Sequence, residues 1–358
     1  MISLDDVKSI DKIDQGFSYS SISSLADQCE SAWNEVKTLS FPEENENASS
    51  IIFCGMGGSA YGGRIIKSLY LKELRIPVDV ISGYNLPGFV DQNTLIIAAS
   101  YSGYTEETLQ CVEEALDKKA KIIGICSGGL LAALLKRELK PLYCFIPKYN
   151  PSMQPRLGAG YMQIGQLAIL SSLGYIKIED EDISKIIQDL RNQQQKLHKE
   201  IKTDSNYAKQ LASIFVDKQV NIIGSEFLEG AIHSIRNPFH ETSKHFANYF
   251  IVPELNHHLM EGLSYPVGLK DKMLFLIVES DLYDARIKRR LDLTREVIEK
   301  NNIATQTITL KFPTELGQTL ELIQLGSYIT YYLAMLHEVD PAKIPWVNYF
   351  KEKLSAKG

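Results

Sequence analysis

The sequence predicts an α/β protein built from two similar halves, each a parallel sheet flanked by helices. Short, apolar, β-favouring runs alternate with helix-length amphipathic stretches, which is the pattern of a parallel sheet covered on both faces. The run at 220–225 repeats the strand-then-Gly-Ser arrangement of 51–59, so the pattern starts again in the second half of the chain. The length of 358 residues is enough for about two domains of ordinary size.

Composition and charge exclude several classes of protein. With 44% apolar and 23% charged residues, the chain has the composition of a folded globular protein. The net charge of −6 provides no positive field for nucleic acid, so we expect no nucleic-acid partner. The apolar run at 130–135 is too short to span a bilayer, and the N-terminus lacks a signal-peptide pattern, so we expect no membrane association. Five cysteines without a CxxC pair or zinc spacing favour reduced thiols and a cytoplasmic location.

The elements of the first half follow in chain order. Residues 1–44 are predicted to form an N-terminal helical segment, because apolar residues recur at helical spacing from 18 to 33. Residues 45–175 are predicted to form the first α/β subdomain. The β-favouring runs that predict its strands are 51–54, 78–82, 94–100, 121–126 and 142–147. Helical spacing predicts helices at 64–74 and 109–118.

The second half is expected to repeat this order after a helical connector at 176–204. Residues 205–340 are predicted to form the second subdomain, and residues 341–358 a C-terminal amphipathic helix. The predicted strands of the second subdomain are 220–225, 248–253, 273–278 and 304–310, with helices at 284–300 and 315–336. The strand at 273–278 runs into an acidic loop, which would repel an anion, so only the first half is expected to keep a ligand-binding loop.

The segment SYSGYTEET at 100–108 follows an apolar strand and begins a helix. A helix N-terminus presents unpaired N–H groups and attracts anions. Ser100, Ser102 and Thr105 add three hydroxyl donors, and Gly103 allows the backbone to approach a ligand closely. Helix capping is the alternative interpretation, but capping needs only one hydroxyl. Three hydroxyls at this spacing favour a phosphate-binding loop.

The segment GMGGSA at 55–60 is the second strand-end loop, and it fits the GxGxxA pattern of dinucleotide-binding turns. That function requires an acidic residue at the end of the next strand to hold a ribose. The next predicted strand instead ends in Ser82 and Gly83. We therefore interpret Gly57 and Gly58 as positions where the backbone contacts a sugar, with Ser59 nearby.

On consecutive βα units, these two segments resemble the sugar isomerase (SIS) domain, and more narrowly the bifunctional phosphoglucose/phosphomannose isomerases. The resemblance continues through QPR at 154–156, Glu241, ELNH at 254–257 and the C-terminal segments at 332–336 and 339–341. It covers most of residues 50–355. It implies an aldose–ketose isomerase that interconverts glucose 6-phosphate and mannose 6-phosphate with fructose 6-phosphate through a cis-enediolate, without a metal or a cofactor.

The resemblance also implies a role for each matching residue. The expected phosphate ligands are Ser59, Ser100, Ser102 and Thr105. Arg156 would stabilise the enediolate, and Glu241 would carry the proton between C2 and C1. His257 and Lys351 would open the sugar ring, with His257 supplied by the second subunit of a homodimer. Tyr104 stands where the family usually has Asn, and Lys353 is an alternative to Lys351.

Taken alone, the residues leave alternatives open. Glu241 lies in a polar stretch and could be a surface carboxylate, and Lys351 could lie on the wet face of its helix. His240, Glu241 and His245 do not form an HExxH motif, so we expect no metal site. Three alternative functions are a non-catalytic phosphosugar sensor of the same fold, an amino-sugar enzyme of the same fold and a nicotinamide-dependent dehydrogenase.

Overall fold

The computed structural model describes residues 2–355 and contains two parallel sheets. The strands of the first sheet are β1 (Ser50–Cys54), β2 (Val78–Ile81), β3 (Thr94–Ala99), β4 (Lys121–Cys126) and β5 (Leu142–Cys144). Those of the second are β6 (Gln219–Ser225), β7 (Ala247–Val252), β8 (Met273–Glu279) and β9 (Ala304–Thr309). The strand orders are β2-β1-β3-β4-β5 and β7-β6-β8-β9, and neighbouring strands are parallel throughout.

Helices connect and cover these strands. The N-terminal segment contains α1 (Val7–Ile13), α2 (Ser18–Ser23) and α3 (Leu25–Lys37). The first sheet carries α4 (Tyr61–Leu69), α5 (Glu106–Asp117) and α6 (Gly129–Arg137), followed by α7 (Gly165–Ser172) and α8 (Asp180–Leu197). The second half contains α9 (Tyr207–Phe215), α10 (Glu229–Glu241), α11 (Leu269–Lys272), α12 (Ala285–Lys300), α13 (Glu315–Leu336) and α14 (Pro345–Ser355).

The predicted fold class is confirmed, and the two sheets share one topology. In each sheet the first strand in sequence lies between the second and the third, and the fourth strand follows outside the third. This places β3 and β8 at equivalent positions, as the repeated order of elements predicts. β5 extends only the first sheet. The subdomain limits, 45–175 and 205–340, stay predictions.

Alternating side chains place β1 between two apolar cores. Ile51 and Phe53 belong to a large core that also takes in the second sheet, whereas Ile52 and Cys54 belong to a smaller core under α5 and α6. Successive side chains of a strand point to opposite faces, so a strand covered on both faces is apolar at every position. The large core joins the two halves into one packed body.

Helix α13 is the central helix of the second half. Almost every residue from Leu316 to Leu336 is buried, and the helix packs against α8, α9 and α10. Thr314 caps its start, because the Thr314 hydroxyl accepts a hydrogen bond from the Gly317 N–H at 3.0 Å. Across residues 2–355, neither α13 nor any other helix is long and apolar enough to cross a bilayer.

Some helices differ from the sequence-based expectation. The helix expected at 18–33 is two helices that meet at Ser24, and α6 and α10 were not predicted. The start of α6 was not predicted because Gly128 and Gly129 have low helix propensity. The last turn of α10 was not predicted because it contains Pro238 and neighbouring polar residues. Tertiary packing overrides these weak local propensities, because both helices bury an apolar face.

Helices α4 and α10 join the halves at close range. A Cβ atom added to Gly230 of α10 would lie 2.5 Å from the backbone nitrogen of Ile65 in α4. Only a residue without a Cβ allows the two backbones to approach so closely. The end of α10 is thereby carried towards the carboxyl edge of the first sheet.

Candidate active site

The candidate site lies at the carboxyl ends of β1 and β3, where the two loops identified in the sequence meet. The chain crosses from β1 to β2 on one side and returns to β3 on the other side of β1. At such a switch point the loops diverge and leave a crevice, the usual ligand position in an open α/β sheet. The loop 55–60 and the loop 100–105 border this crevice.

Their hydroxyl groups form a connected network. The Ser59 hydroxyl accepts a hydrogen bond from the Tyr101 N–H at 3.0 Å. The Ser100 hydroxyl contacts the Thr105 hydroxyl at 2.8 Å and accepts from the Gly103 N–H at 3.1 Å. A hydroxyl that accepts a bond can still donate its own proton to an anion. Ser59 and Ser100 are buried, so their hydrogen bonds hold the loop 100–105 from its buried side.

Ser102 lies on the open side of this loop. It is exposed, and its hydroxyl accepts a hydrogen bond from the Tyr104 N–H at 3.2 Å. Gly103 has a φ of +73°, and a Cβ there would lie 1.9 Å from the Gly128 oxygen. Any side chain at this position would therefore displace the loop. Gly57 also has a positive φ, of +52°, at the start of its loop.

Arg156 is buried next to these loops. It lies in a 3-10 turn, Pro155–Leu157, and a Cβ at Gly58 would contact its backbone at 3.6 Å. All five N–H donors of its guanidinium have acceptors: Thr242 Oγ1 at 3.2 Å, Gln154 Oε1 at 3.0 Å, Glu241 Oε2 at 3.5 Å, Pro341 O at 2.6 Å and Ala342 O at 3.1 Å. Burial lowers the pKa of Arg156, and the charge of Glu241 acts in the opposite direction.

Glu241 is the last residue of α10, and its side chain is 31% exposed beside the fully buried side chain of Arg156. The longest contact of the guanidinium is the one to this carboxylate. Glu241 is thus paired with a buried cation and is not a solvated surface residue. Sequence reasoning from residue types alone left that question open.

A cavity of about 770 Å³ opens near this pair, although neither Arg156 nor Glu241 is among its lining residues. Ser102 and Lys351, two of the predicted site residues, line it, and so do Gln154 and Pro155, which precede Arg156. The other lining residues are Gln15, Gly16, Tyr101, Tyr104, Ser127, Ser152, Met153, Asp340, Ala342, Lys343, Ile344 and Asn348. The volume is large enough for a hexose phosphate.

Of the two candidate lysines of α14, Lys351 lines the cavity and Lys353 does not. The ammonium nitrogen of Lys353 lies 5.7 Å from the centre of the Tyr349 ring. Tyr104 is 65% exposed and also borders the cavity. A tyrosine in place of the asparagine usual in the family therefore changes the wall of this cavity.

His257 lies elsewhere in the single chain. It ends the 3-10 turn Glu254–His257, which follows β7 at the edge of the second sheet, and it is exposed. It is not among the residues that line the 770 Å³ cavity. The single chain therefore does not bring His257 together with Ser102 and Lys351, and its supply by a second subunit stays a prediction.

The histidines near Glu241 have other partners. The His240 Nε2 lies 2.8 Å from the Ala247 carbonyl oxygen, and the His245 Nδ1 lies 3.1 Å from the His337 Nε2. In the part of the chain that the structure describes, no three side chains of His, Cys, Asp or Glu are grouped so that they could hold a metal ion.

Two features of the sheets bear on the alternatives raised by the sequence. At the tip of β2, where a dinucleotide fold has an acidic residue, the Ser82 hydroxyl donates to the Gly55 carbonyl at 3.1 Å. In the second sheet, Glu279 at the end of β8 is paired with Arg295. An ion pair thus occupies the place where the equivalent strand β3 carries its hydroxyl loop.

Sequence reasoning missed three residues that contact this site. Gln154 and Thr242 bind the guanidinium of Arg156, and Lys244 binds the backbone next to it. Gln154 and Thr242 are sequence neighbours of Arg156 and Glu241, so adjacency to a candidate residue was the available signal. Lys244 also lies close to Glu241 in sequence, but nothing in the sequence indicated its contacts with Asp340 and Pro341, which are 96 and 97 positions away.

Comparison with protein-family models agrees with this geometry. The SIS domain model matches residues 46–131. The model described as the bacterial phospho-glucose isomerase C-terminal SIS domain matches residues 204–354. Among solved structures, a hypothetical protein of Thermus thermophilus has a TM-score of 0.72 at 17% identity and covers 94% of this chain and 90% of its own. Tagatose-6-phosphate ketose/aldose isomerase of Escherichia coli has a TM-score of 0.65 at 17% identity, covering 92% and 94%.

Curated relatives are more similar in sequence. The bifunctional phosphoglucose/phosphomannose isomerase of Caldicellulosiruptor bescii is 30% identical over 338 residues, which are 94% of this chain and 98% of the relative. The enzyme of the same name from Thermoplasma acidophilum is 32% identical over 86% of this chain and 90% of its own. A D-glucosamine-6-phosphate 4-epimerase of Sulfolobus acidocaldarius is 27% identical over 67% of this chain and 71% of its own. The identity, maintained over nearly the whole length, shows that this chain belongs to the bifunctional phosphoglucose/phosphomannose isomerase family.

Proposed function

We propose that this chain interconverts glucose 6-phosphate and mannose 6-phosphate with fructose 6-phosphate by proton transfer through a cis-enediolate, without a metal. The observation that carries the proposal is the contact of 3.5 Å between the buried Arg156 guanidinium and the Glu241 carboxylate. Gln154 and Pro155, which precede Arg156, line a cavity together with Ser102 and Lys351. A carboxylate base, a cation for the oxyanion and donors for a phosphate are what this reaction needs.

The phosphate is expected to bind at the loop 100–105 and the start of α5. The hydroxyls of Ser59, Ser100, Ser102 and Thr105, with backbone N–H groups at Gly57 and Gly58, would donate to its oxygens. Two phosphate charges next to a helix N-terminus are favourable without a lysine. This anchor would leave C1 and C2 of the opened sugar to reach the Arg156–Glu241 pair.

Glu241 would then remove the proton from one carbon of the aldose or ketose and return it to the next. The negative charge that develops on the sugar oxygens is stabilised by the Arg156 guanidinium. Since all five N–H donors of Arg156 already have acceptors, a sugar oxygen must replace one of them. The Glu241 contact is the longest, so it is the one a substrate exchanges most easily.

Both aldoses can share this site. Glucose and mannose 6-phosphates differ only at C2, and that carbon is planar in the enediolate. A base placed near C1 and C2 need not distinguish them, and rotation about C2–C3 before the proton returns would give either aldose. Ring opening is assigned to Lys351 and to the partner subunit's His257, in a homodimer that we expect in the cytoplasm.

The test is a proton NMR time course in heavy water with glucose, mannose and fructose 6-phosphates. We expect all three sugars to appear from any one of them, with deuterium entering at C1 of the ketose and C2 of the aldoses. Glucosamine 6-phosphate is included because one curated relative is named as an epimerase of that sugar. Turnover of the amino sugar alone would contradict the proposal.

Two controls sharpen the result. Glu241→Gln should reduce the exchange by about 100-fold or more, because an amide cannot act as a base. Glu296→Gln, at an exposed carboxylate paired with Lys300 on α12, should leave the rate unchanged. A non-catalytic sensor would bind phosphosugars, but neither the wild type nor the Glu241→Gln variant would turn them over. Prior treatment with a chelator should not alter the rate, and loss that zinc restores would contradict metal independence.

A further inference from the structure

Two cations from different elements hold the backbone that leads into α14. Residues 340–342 connect the end of α13 to α14, which carries Lys351. The Arg156 Nη2 donates to the carbonyl oxygens of Pro341 at 2.6 Å and Ala342 at 3.1 Å. The Lys244 Nζ donates to the carbonyl oxygens of Asp340 at 2.6 Å and Pro341 at 3.2 Å. The Pro341 oxygen is therefore shared by both cations.

Lys244 directs its ammonium group at carbonyl oxygens. Its third acceptor is the Thr242 carbonyl, at 3.1 Å, so its three donors have three acceptors. Thr242 also binds the Arg156 Nε through its hydroxyl, which links the lysine to the guanidinium by a second route. One ammonium thus connects the residue after Glu241 to the segment before Lys351.

The backbone at Lys244 is unusual as well. Its φ is +54°, in the left-handed region that residues with a Cβ rarely adopt. Strained positions of this kind persist where surrounding contacts determine them, and they cluster at functional sites. At Lys244 this backbone conformation accompanies a side chain that binds three carbonyl oxygens.

Resting on the proposed function, we propose that Lys244 is a positioning residue for the isomerase reaction. By holding residues 340–342, it fixes the two carbonyls that orient Arg156 towards Glu241, and it sets the start of the helix that brings Lys351 to the cavity. Lys244 touches no reacting atom, so its loss should disturb the reaction step more than substrate binding.

The charge of Lys244 gives the proposal a pH dependence. Lys244 is an exposed residue, but partial burial of its ammonium group and the neighbouring charge of Arg156 lower its pKa to about 8. Asp340 and Glu241 act in the opposite direction. Below this pH the ammonium has three N–H donors for its three carbonyls. Above it the amine has two, and its lone pair faces an oxygen. We therefore expect the hold on residues 340–342 to weaken as pH rises through about 8.

The experiment measures kcat and KM for fructose 6-phosphate from pH 6 to 10 with the full chain and three variants. Lys244→Met should lower kcat by about 10- to 100-fold while KM changes by less than about threefold. Lys244→Arg, which keeps its charge, should retain a kcat within about tenfold of the wild type and extend activity to higher pH. Lys218→Met is the matched control, because Lys218 precedes β6 and its ammonium donates to the Asp271 carbonyl of α11 at 2.8 Å.

Each outcome decides. A wild-type chain without turnover would overturn the proposed function, and this proposal with it. An active wild type with an unchanged kcat in Lys244→Met, or with the whole loss in KM, would overturn the positioning role alone. If Lys244→Met does not fold, the pH profiles of the wild type and Lys244→Arg decide, because identical alkaline limits would contradict the proposal.

Discussion

Ser102 is the residue on which the interpretation of the phosphate loop can be tested most directly. Ser59 and Ser100 are buried and hold the loop in shape, so replacing them would confound binding with structure. Ser102 is exposed to the cavity, and its only hydrogen bond given by the structure is a local one from the Tyr104 N–H. Its loss should therefore be felt by a ligand and not by the fold.

Ser102→Ala should weaken the binding of fructose 6-phosphate by about 1–2 kcal/mol, the scale of a hydrogen bond to a charged group. That is roughly a five- to thirtyfold rise in Kd by calorimetry. Ser184→Ala, on the exposed face of α8, is the control and should leave Kd unchanged. If unphosphorylated glucose lost as much affinity as the phosphate ester, the loop would not be the phosphate site.

His233 makes stability depend on pH. Burial, together with Arg64 and Arg236, lowers its pKa to about 4, and its ring stacks on Tyr249 with 5.0 Å between centroids. Between pH 6.5 and 4 the unfolded chain binds a proton at His233 that the folded chain does not bind. The free energy of unfolding should therefore fall as pH falls through this window, by on the order of 2 kcal/mol from this residue.

Urea unfolding of the wild type and of His233→Phe between pH 7 and 4 measures this effect. The variant should lose part of the slope of stability against pH, since phenylalanine keeps the stack and cannot bind a proton. The remaining slope of the unfolding free energy against pH is expected from His245 and His337, because burial lowers their pKa values as well. Equal slopes for the two proteins would contradict the assignment to His233.

At the scale of elements, the proposed phosphate loop at 100–105 depends on its contact with the loop that begins α6. The Gly103 carbonyl accepts a hydrogen bond from the Leu131 N–H at 2.9 Å, and the Ser127 N–H donates to the Tyr101 carbonyl at 2.8 Å. The loops after β3 and β4 thus support each other, and the missing side chain at Gly103 lets them meet. The geometry of the hydroxyls follows from this contact.

Gly103→Ala should disrupt it, because the new Cβ would meet the Gly128 oxygen and the backbone has a φ of +73°. We expect a loss of about 1–3 kcal/mol in the free energy of unfolding and at least a tenfold weaker affinity for fructose 6-phosphate. Gly88→Ala, where an added Cβ would meet nothing within 4 Å, should stay within about 0.5 kcal/mol of the wild type. Equal effects of the two substitutions would contradict the role given to Gly103.

At the scale of the whole molecule, the two halves share one strand topology but carry different residues at equivalent strand ends. The loop after β3 carries hydroxyls, whereas the last residue of β8, Glu279, is paired with Arg295 of α12. The second half contributes Glu241, the last residue of α10, as a partner of Arg156, and it contributes Asn348 and Lys351 of α14 to the cavity wall. The cavity therefore draws its residues from both halves of the chain.

The homodimer prediction can be tested by complementation. Glu241→Gln and His257→Ala proteins should each be inactive alone. Unfolding and refolding them together should restore up to about a quarter of the wild-type activity, because half of the dimers would be mixed and each would hold one intact site. If the mixture stays inactive while size measurements show dimers, His257 does not act in trans.

The sequence by itself determined the features that depend on neighbours along the chain. The alternation of strands and helices, the hydroxyl loop at 100–105 and the glycine-rich loop at 55–60 all follow from periodicity and turn chemistry. The corresponding strands β3 and β8 could be matched for the same reason. The resemblance to the SIS domain depended on the loops at 55–60 and 100–105. The narrower resemblance to the isomerases depended on Glu241, ELNH at 254–257 and the C-terminal segments at 332–336 and 339–341.

The tertiary structure alone decided what lies close in space. Residue types could not tell whether Glu241 is a surface carboxylate or the partner of Arg156, because 85 positions separate the two. Their contact exists because Gly230 lets α10 pack against α4, which carries the end of α10 to the first sheet. The same holds for Lys244, because two of its three acceptors lie almost 100 positions along the chain. Periodicity records which face of an element is buried, but packing determines which elements meet.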